Sequence, residues 1–261
     1  MPRFSANLSM LFTEYDFPDR FAAAAAAGFQ AVECQFPYDW PADILAERLR
    51  RAGLTMVLHN LPAGDWAGGE RGIACHPDRV DEFQAGVERA LAWAVTLGCP
   101  QLNCLAGIQP PGVSDALAHA TFVHNLRHAA QRLATAGLRL LIEPINTRDI
   151  PGFFLNRSAQ AAAVLDAVGA DNLFIQYDVY HAQRMEGELA ATLARLLPRI
   201  GHVQIADNPG RHEPGSGEIH YAWLLRELDR LEYSGWVGCE YVPAGNTVDG
   251  LIWRQRLGFD T

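Results

Sequence analysis

Short apolar runs alternate with longer segments of helical spacing along the whole chain. The runs, such as LRLLI, are nearly continuous in apolar residues, which is typical of parallel strands buried on both faces. The pattern predicts eight strands, which are Phe4–Asn7, Ala31–Gln35, Leu54–Asn60, Gln101–Cys104, Arg139–Glu143, Leu173–Asp178, His202–Gln204 and Trp236–Glu240.

The segments between the runs repeat their apolar positions every three or four residues, as amphipathic helices do. The clearest stripe consists of Val80, Phe83, Val87, Ala90, Ala94 and Leu97. Glycines such as Gly53 and Gly98 stand where a helix has to end before the next strand. Eight strand–helix units with right-handed crossovers predict a single (β/α)8 TIM barrel. An open doubly wound sheet is the alternative, and the chain lacks the GxGxxG turn typical of it.

The length of 261 residues suits one such barrel, so we expect a single domain over residues 1–261. The formal net charge of −9 disfavours nucleic acid and anionic membrane surfaces as partners. A small anionic substrate is compatible with this charge, because a bound metal would set the local field. The sequence leaves open whether the protein forms a homo-oligomer.

All 21 basic residues are arginine, and the chain has no lysine. Schiff-base aldolases, pyridoxal phosphate enzymes and P-loop nucleotide-binding proteins all need a lysine amine. The lack of lysine therefore excludes these three classes of protein. The five cysteines form no CxxC pair, and residues 1–11 lack the long apolar segment of a signal peptide. We therefore expect reduced thiols in a cytoplasmic protein.

Oxygen-bearing side chains end the last four predicted strands, and these residues are Glu143, Asp178, Gln204 and Glu240. The carboxyl ends of barrel strands meet at one mouth, where three carboxylates would repel each other without a cation between them. Carboxylate and amide oxygens suit hard cations, so we expect a site for Mg²⁺ or Mn²⁺. The alternative for any single acid is that it caps the following helix.

Two glutamates on different sides of such a site suit proton transfer beside a carbonyl group. We therefore expect Glu143 and Glu240 to act as acid and base in an isomerisation through an enediolate. His181 is a candidate to contact the substrate or to ligate the metal, and His59 is a second candidate contact. Arg211 is a candidate clamp for a substrate carboxylate. The long loop 61–77 follows the third strand and is a candidate lid over the mouth.

Several long segments resemble the hydroxypyruvate isomerase family of xylose-isomerase-like TIM barrels. They are RFSANLSMLF, LHNLPAGDWAGGERGIAC, IEPIN, IQYDVYHAQRMEGEL, HVQIADNPGRHEPGSGEI and GWVGCEY. The resemblance implies that hydroxypyruvate and 2-hydroxy-3-oxopropanoate are interconverted, with Glu143 and Glu240 as catalytic residues. It also implies that Glu143, Asp178, Gln204 and Glu240 hold the metal.

Other functions are compatible with the same residues. Members of this family isomerise 2-oxo-tetronates, and the more distant ketose 3-epimerases usually carry histidine where Gln204 stands. A nuclease of the endonuclease IV kind shares the barrel, but it would need more histidine ligands and a basic surface. A non-catalytic barrel that binds sugar acids is a further alternative.

Overall fold

The computed structural model describes residues 1–259, and it shows a closed barrel of eight parallel strands in sequence order. The fold predicted from the apolar runs is therefore confirmed, and the open doubly wound sheet is wrong. The last two residues of the predicted domain, 260 and 261, lie outside the described residues. The strands are β1 Arg3–Asn7, β2 Ala31–Cys34, β3 Thr55–Asn60, β4 Gln101–Cys104, β5 Arg139–Ile142, β6 Leu173–Asp178, β7 Ile200–Ile205 and β8 Trp236–Cys239.

Helices surround the barrel, and the predicted stripe of α3 packs against it with five of its six residues buried. Gly53 and Gly98 end α2 and α3 with positive φ angles of 67° and 64°, as their positions predicted. The helices are α1 Arg20–Ala26, α2 Ala42–Ala52, α3 Val80–Leu97, α4 Asp115–Ala134, α5 Ser158–Val168, α6 Val179–Met185, α7 Leu189–Leu196, α8 Tyr221–Arg230, α9 Thr247–Gly250 and α10 Trp253–Leu257, with 3-10 turns at Phe17–Asp19 and Leu197–Arg199. Within residues 1–259, none of these helices is long and apolar enough to cross a membrane.

The interior of the barrel changes from apolar to polar along its axis. A small apolar cluster of Ala31, Val57, Leu58 and Leu141, packed with Phe174 and Trp236, lies towards the amino-terminal ends of the strands. Further along, neighbouring strands place Asn7 beside Glu33 and Gln204 beside both Asp178 and Gly238. These polar side chains are buried, and they lead up to the mouth at which the strands end.

The loop 61–77 is anchored through its second half. Asn125 donates to the carbonyl of Ala74 at 2.9 Å, and His76 contacts the carbonyl of Ile108 at the same distance. A Cβ on Gly72 would lie 2.5 Å from a backbone oxygen, so glycine is required where this loop meets the next one. The lid therefore stays a prediction only for the tip of the loop around Trp66.

Candidate functional site

Four of the predicted site residues lie at the carboxyl ends of their strands. Asp178 and Gln204 belong to β6 and β7 and pair in register, while Glu143 and Glu240 follow directly after β5 and β8. All four side chains are buried, with exposed fractions between 1% and 5%. The barrel thus gathers them on its interior, as the convergence of parallel strands predicts.

The two carboxylate oxygens of Asp178 have different surroundings. Oδ1 accepts from the backbone N–H of His181 at 3.0 Å and so caps the amino terminus of α6. Oδ2 is buried and has no hydrogen-bond partner within the described part of the chain. A buried carboxylate oxygen without a donor is unfavourable unless a cation or a ligand satisfies it. The capping alternative is therefore confirmed for this residue, but it uses only half of the carboxylate.

The pKa values of the Glu143 and Glu240 carboxyl groups are raised. Burial, together with the nearby carboxylates of Glu240 and Asp178, raises the pKa of Glu143 well above its ordinary value of 4.5. Burial also raises the pKa of Glu240 to about 7, although the positive charge of Arg211 acts in the opposite direction. The value for Glu240 brings its carboxyl group into the range in which it can take up and release a proton near neutral pH.

Each of these two carboxylates is fixed by donors from other strands. Asn103 donates to Oε2 of Glu143 at 2.9 Å. Glu240 accepts from Asn7 at 3.0 Å and from Gln35 at 3.3 Å, both on Oε1. Its Oε2 accepts from Nη2 of Arg211 at 2.8 Å.

Glu143, Asp178 and His181 form a group whose nearest ligand atoms all lie within 4.8 Å of one another, so they could hold a metal ion. Nε2 of His181 is 3.8 Å from Oε1 of Glu143 and 3.8 Å from Oδ2 of Asp178. The two carboxylates fit a hard divalent cation, because it prefers oxygen ligands and because Oδ2 of Asp178 has no other partner among residues 1–259.

His181 is better suited to donate a hydrogen bond than to ligate this cation. Oδ1 of Asn146 accepts from the backbone N–H groups of Arg148 and Asp149, which fixes its Nδ2 towards Nδ1 of His181 at 2.7 Å. Nδ1 must therefore accept, and the proton of the neutral ring is on Nε2. Burial lowers the pKa of His181 to about 4, so the ring is neutral at physiological pH.

Arg211 reaches the site from the loop after β7. Its positive φ of 56° turns the backbone so that the side chain lies over the ring of Tyr180 and contacts Glu240. Burial lowers the pKa of Arg211, but Glu240, Asp178 and Glu143 raise it by more, so the guanidinium stays charged. Its Nε is buried and has no acceptor among residues 1–259, so this donor is available to a ligand.

His59 does not join this group. It pairs in register with Cys34 and Leu102, whereas the next residue, Asn60, pairs with Asn103 inside the barrel. Its ring packs edge-on against Tyr38, which in turn contacts Trp93 of α3. His59 therefore faces the helical layer, because adjacent residues of a strand point to opposite sides.

The structure adds buried polar residues that were not predicted for the site, and these are Ser5, Asn7, Glu33, Gln176 and His202. Their signal is an alternation of polar residues, two positions apart, along strands that should be apolar inside a barrel. It occurs as Ser5 and Asn7, Glu33 and Gln35, Gln176 and Asp178, and His202 and Gln204. The second member of each pair lies nearer the mouth than the first.

Residues 21–257 match the model of a family described as xylose isomerase-like TIM barrel. Hydroxypyruvate isomerase of Escherichia coli (strain K12) is 55% identical, and the match covers 98% of this chain and 99% of that protein. The 2-oxo-tetronate isomerase of Cupriavidus necator is 49% identical, with 98% of each protein covered. A crystal structure named AP endonuclease, family 2, from Brucella melitensis superposes with a TM-score of 0.96 at 45% identity, covering 98% of this chain and 99% of that one. The chain therefore belongs to the xylose isomerase-like TIM barrel family and is an isomerase related to the first two of these enzymes.

Proposed function

We propose that the protein interconverts hydroxypyruvate and 2-hydroxy-3-oxopropanoate with the help of a divalent cation, Mg²⁺ or Mn²⁺. The observation that carries this proposal is the buried group of Glu143, Asp178 and His181 with Glu240 beside it, at the mouth of the barrel. Glu143, Asp178, Gln204 and Glu240 would hold the cation. When bound, it would polarise the carbonyl group of the substrate and so acidify the neighbouring C–H bond.

Glu143 and Glu240 are the proposed acid and base. One carboxylate removes a proton from the carbon that carries the hydroxyl group, which leaves an enediolate. The proton of the hydroxyl group passes to the neighbouring oxygen, and a carboxyl group delivers a proton to the adjacent carbon, so that the hydroxyl and the carbonyl exchange places. Two observations support these roles: both side chains are buried at the mouth of the barrel, and donors from other strands hold each of them in place.

His181 and Arg211 are the proposed substrate contacts. The Nε2–H of His181 is available to donate to a substrate oxygen between the two carboxylates. Arg211 keeps donors beyond the one that it gives to Glu240, and a guanidinium binds a carboxylate with two parallel hydrogen bonds. His59 has no part in this proposal, because it faces the helices.

A 2-oxo-tetronate is the second candidate substrate, since the Cupriavidus enzyme carries that name and is nearly as similar to this chain. The name of the Brucella structure raises a nuclease as another alternative. We favour the isomerase over the nuclease because the chain is strongly acidic and because a phosphodiester backbone needs a basic surface. The proposed partner is thus a small hydroxy-oxo acid in a cytoplasmic protein.

Proton NMR in D₂O tests this function directly. The protein is incubated with hydroxypyruvate and either Mg²⁺ or Mn²⁺, and Mn²⁺ is removed before the spectrum is recorded. We expect conversion of hydroxypyruvate and incorporation of deuterium at the carbon that receives the proton. A 2-oxo-tetronate in a parallel sample identifies the preferred chain length. Absence of both conversion and exchange with either acid would contradict the proposal.

The raised carboxyl pKa values also predict how stability depends on pH. Folding raises the pKa of such a carboxyl group, so the group stabilises the protein fully below its unfolded pKa of about 4.5. This stabilisation is lost as the pH rises through the folded pKa, which is about 7 for Glu240. His59 and His181, with a pKa of about 4 in the fold, act in the opposite direction, but only below their unfolded value of 6.5.

We therefore expect the melting temperature in EDTA to fall between about pH 6.5 and pH 8, and the increase on adding Mn²⁺ to be larger at the higher pH. The measurement is differential scanning fluorimetry at both pH values. Glu240→Gln, which removes the titrating group, should flatten the dependence. An equal Mn²⁺ effect at the two pH values would disagree with this expectation.

A further inference from the structure

Glu33 is a fully buried carboxylate in the polar interior, directly below the proposed metal ligands. Its Oε2 accepts from Oγ of Ser5 and lies 2.8 Å from Nε2 of His202. Its Oε1 accepts from Nδ2 of Asn7 at 3.2 Å and from Nε2 of Gln204 at 2.7 Å. The proposed function assigns Glu33 no role, yet four side chains from two other strands, β1 and β7, converge on it.

The position of this carboxylate is tightly constrained. Its two oxygens accept from Ser5, Asn7 and Gln204 and contact Nε2 of His202, so donor groups surround the carboxylate. An ionised carboxylate has four lone-pair positions and no proton to donate. Gly238 leaves the space that it fills, since a Cβ there would lie 2.4 Å from Oε1 of Glu33.

A carboxylate that only accepts determines which end of a neighbouring amide can face it. Gln204 must turn its NH₂ group towards Glu33, because its carbonyl oxygen would be repelled. The amide oxygen then faces β6, where it accepts from Nε2 of Gln176 at 2.6 Å. Asp178, the register partner of Gln204, is on that same strand. The structure thus places the amide oxygen of Gln204 on the side of β6 and its nitrogen on the side of Glu33.

We propose that Glu33 is a positioning residue that holds the Gln204 amide with its oxygen, and not its nitrogen, on the side of the metal ligands. This inference rests on the proposed function, in which Gln204 is an oxygen ligand. An amide rotated by half a turn would present an NH₂ group, which has no lone pair for a cation. His202, Ser5 and Asn7 serve this arrangement by fixing Glu33 itself.

The test is the affinity for Mn²⁺, measured by isothermal titration calorimetry on the full chain. Glu33→Gln can turn either end of its own amide towards Gln204 and so no longer selects one orientation. We expect Mn²⁺ to bind roughly 10–100-fold more weakly, the usual effect of removing a group that orients a ligand. Glu186→Gln is the matched control, because that carboxylate accepts from Ser158 at the start of α5 and should leave Mn²⁺ binding unchanged.

A charge exchange separates orientation from the simple loss of a negative charge. In the double variant Glu33→Gln with Gln204→Glu, the total charge equals that of the original protein. The carboxylate introduced at position 204 presents oxygen from both ends, so its orientation does not matter. We expect its Mn²⁺ affinity to return to within roughly threefold of the original, a non-additive effect typical of directly contacting side chains.

Glu33→Asp provides the complementary variant and remains informative if Glu33→Gln does not fold. It keeps the charge but withdraws the carboxylate by one methylene group from Gln204. We expect affinity to fall at least roughly fivefold, whereas an effect of charge alone would leave it unchanged. Unchanged binding in both single variants would overturn the role of Glu33. Failure of the unmodified protein to bind Mn²⁺ would instead overturn the proposed metal site.

Discussion

Glu143→Gln is expected to reduce kcat by roughly 10²–10⁴ while the protein keeps its fold. The amide oxygen of glutamine can still accept the hydrogen bond from Asn103, so the side chain has a reason to stay in place. It cannot take up a proton near neutral pH, and the proposed transfer therefore loses one of its two groups. The measurement is the initial rate with hydroxypyruvate at saturating Mg²⁺, compared with the unmodified protein.

Two comparisons make this result specific. Glu186→Gln removes a carboxylate that lies outside the site, and it should turn over at the original rate. Deuterium exchange into substrate in D₂O reports proton removal separately from the complete reaction. If Glu143→Gln isomerises at the normal rate, Glu143 has no role in proton transfer, and the assignment of acid and base is wrong.

The fold and the meeting of the site residues could be predicted from the sequence because both follow from one rule. Parallel barrel strands place their carboxyl ends at one mouth, so a polar residue that ends an apolar run has a known location. The observed strands reproduce the predicted ones to within two residues at most ends, including all of β4 and β6. Glu143 and Glu240 fall one residue beyond their strands, which does not change where they point.

Side-chain orientation within a strand was harder to predict. His59 and Asn60 are neighbours at the end of β3, and only the register with β4 decides which of them faces the interior. His59 was predicted to contact the substrate because of its chemical type, but the structure places Asn60 in the interior instead. Glu33 was not recognised because it lies one layer below the mouth, inside a strand rather than at its end.

Interactions that depend on loops could not be predicted at all. Asn146 lies three residues beyond Glu143, and its effect on the tautomer of His181 depends on a turn that fixes its amide. Arg211 was expected to bind a substrate carboxylate, but the sequence did not indicate its ion pair with Glu240. A substrate carboxylate bound by Arg211 would compete with Glu240 for the same guanidinium.

Removal of the divalent cation is expected to abolish isomerisation, with activity restored by Mg²⁺ or Mn²⁺. Without a cation, Glu143, Asp178 and Glu240 repel one another in a buried site, as the raised pKa values of the two glutamates indicate. The substrate would then lose the polarising charge that acidifies its C–H bond. The measurement is turnover after dialysis against EDTA, followed by titration with each cation.

Asp178→Asn separates loss of the cation from loss of structure. Asparagine caps a helix as well as aspartate does, so the bond to the backbone N–H of His181 and the start of α6 should persist. The variant loses the charge on Oδ2, the oxygen that has no partner within residues 1–259. It should therefore melt near the temperature of the metal-free original protein, bind Mn²⁺ at least roughly tenfold more weakly and be inactive at cation concentrations that saturate the original. Activity that survives thorough chelation, together with full activity of Asp178→Asn, would exclude the cation from the reaction and leave the two glutamates to act alone.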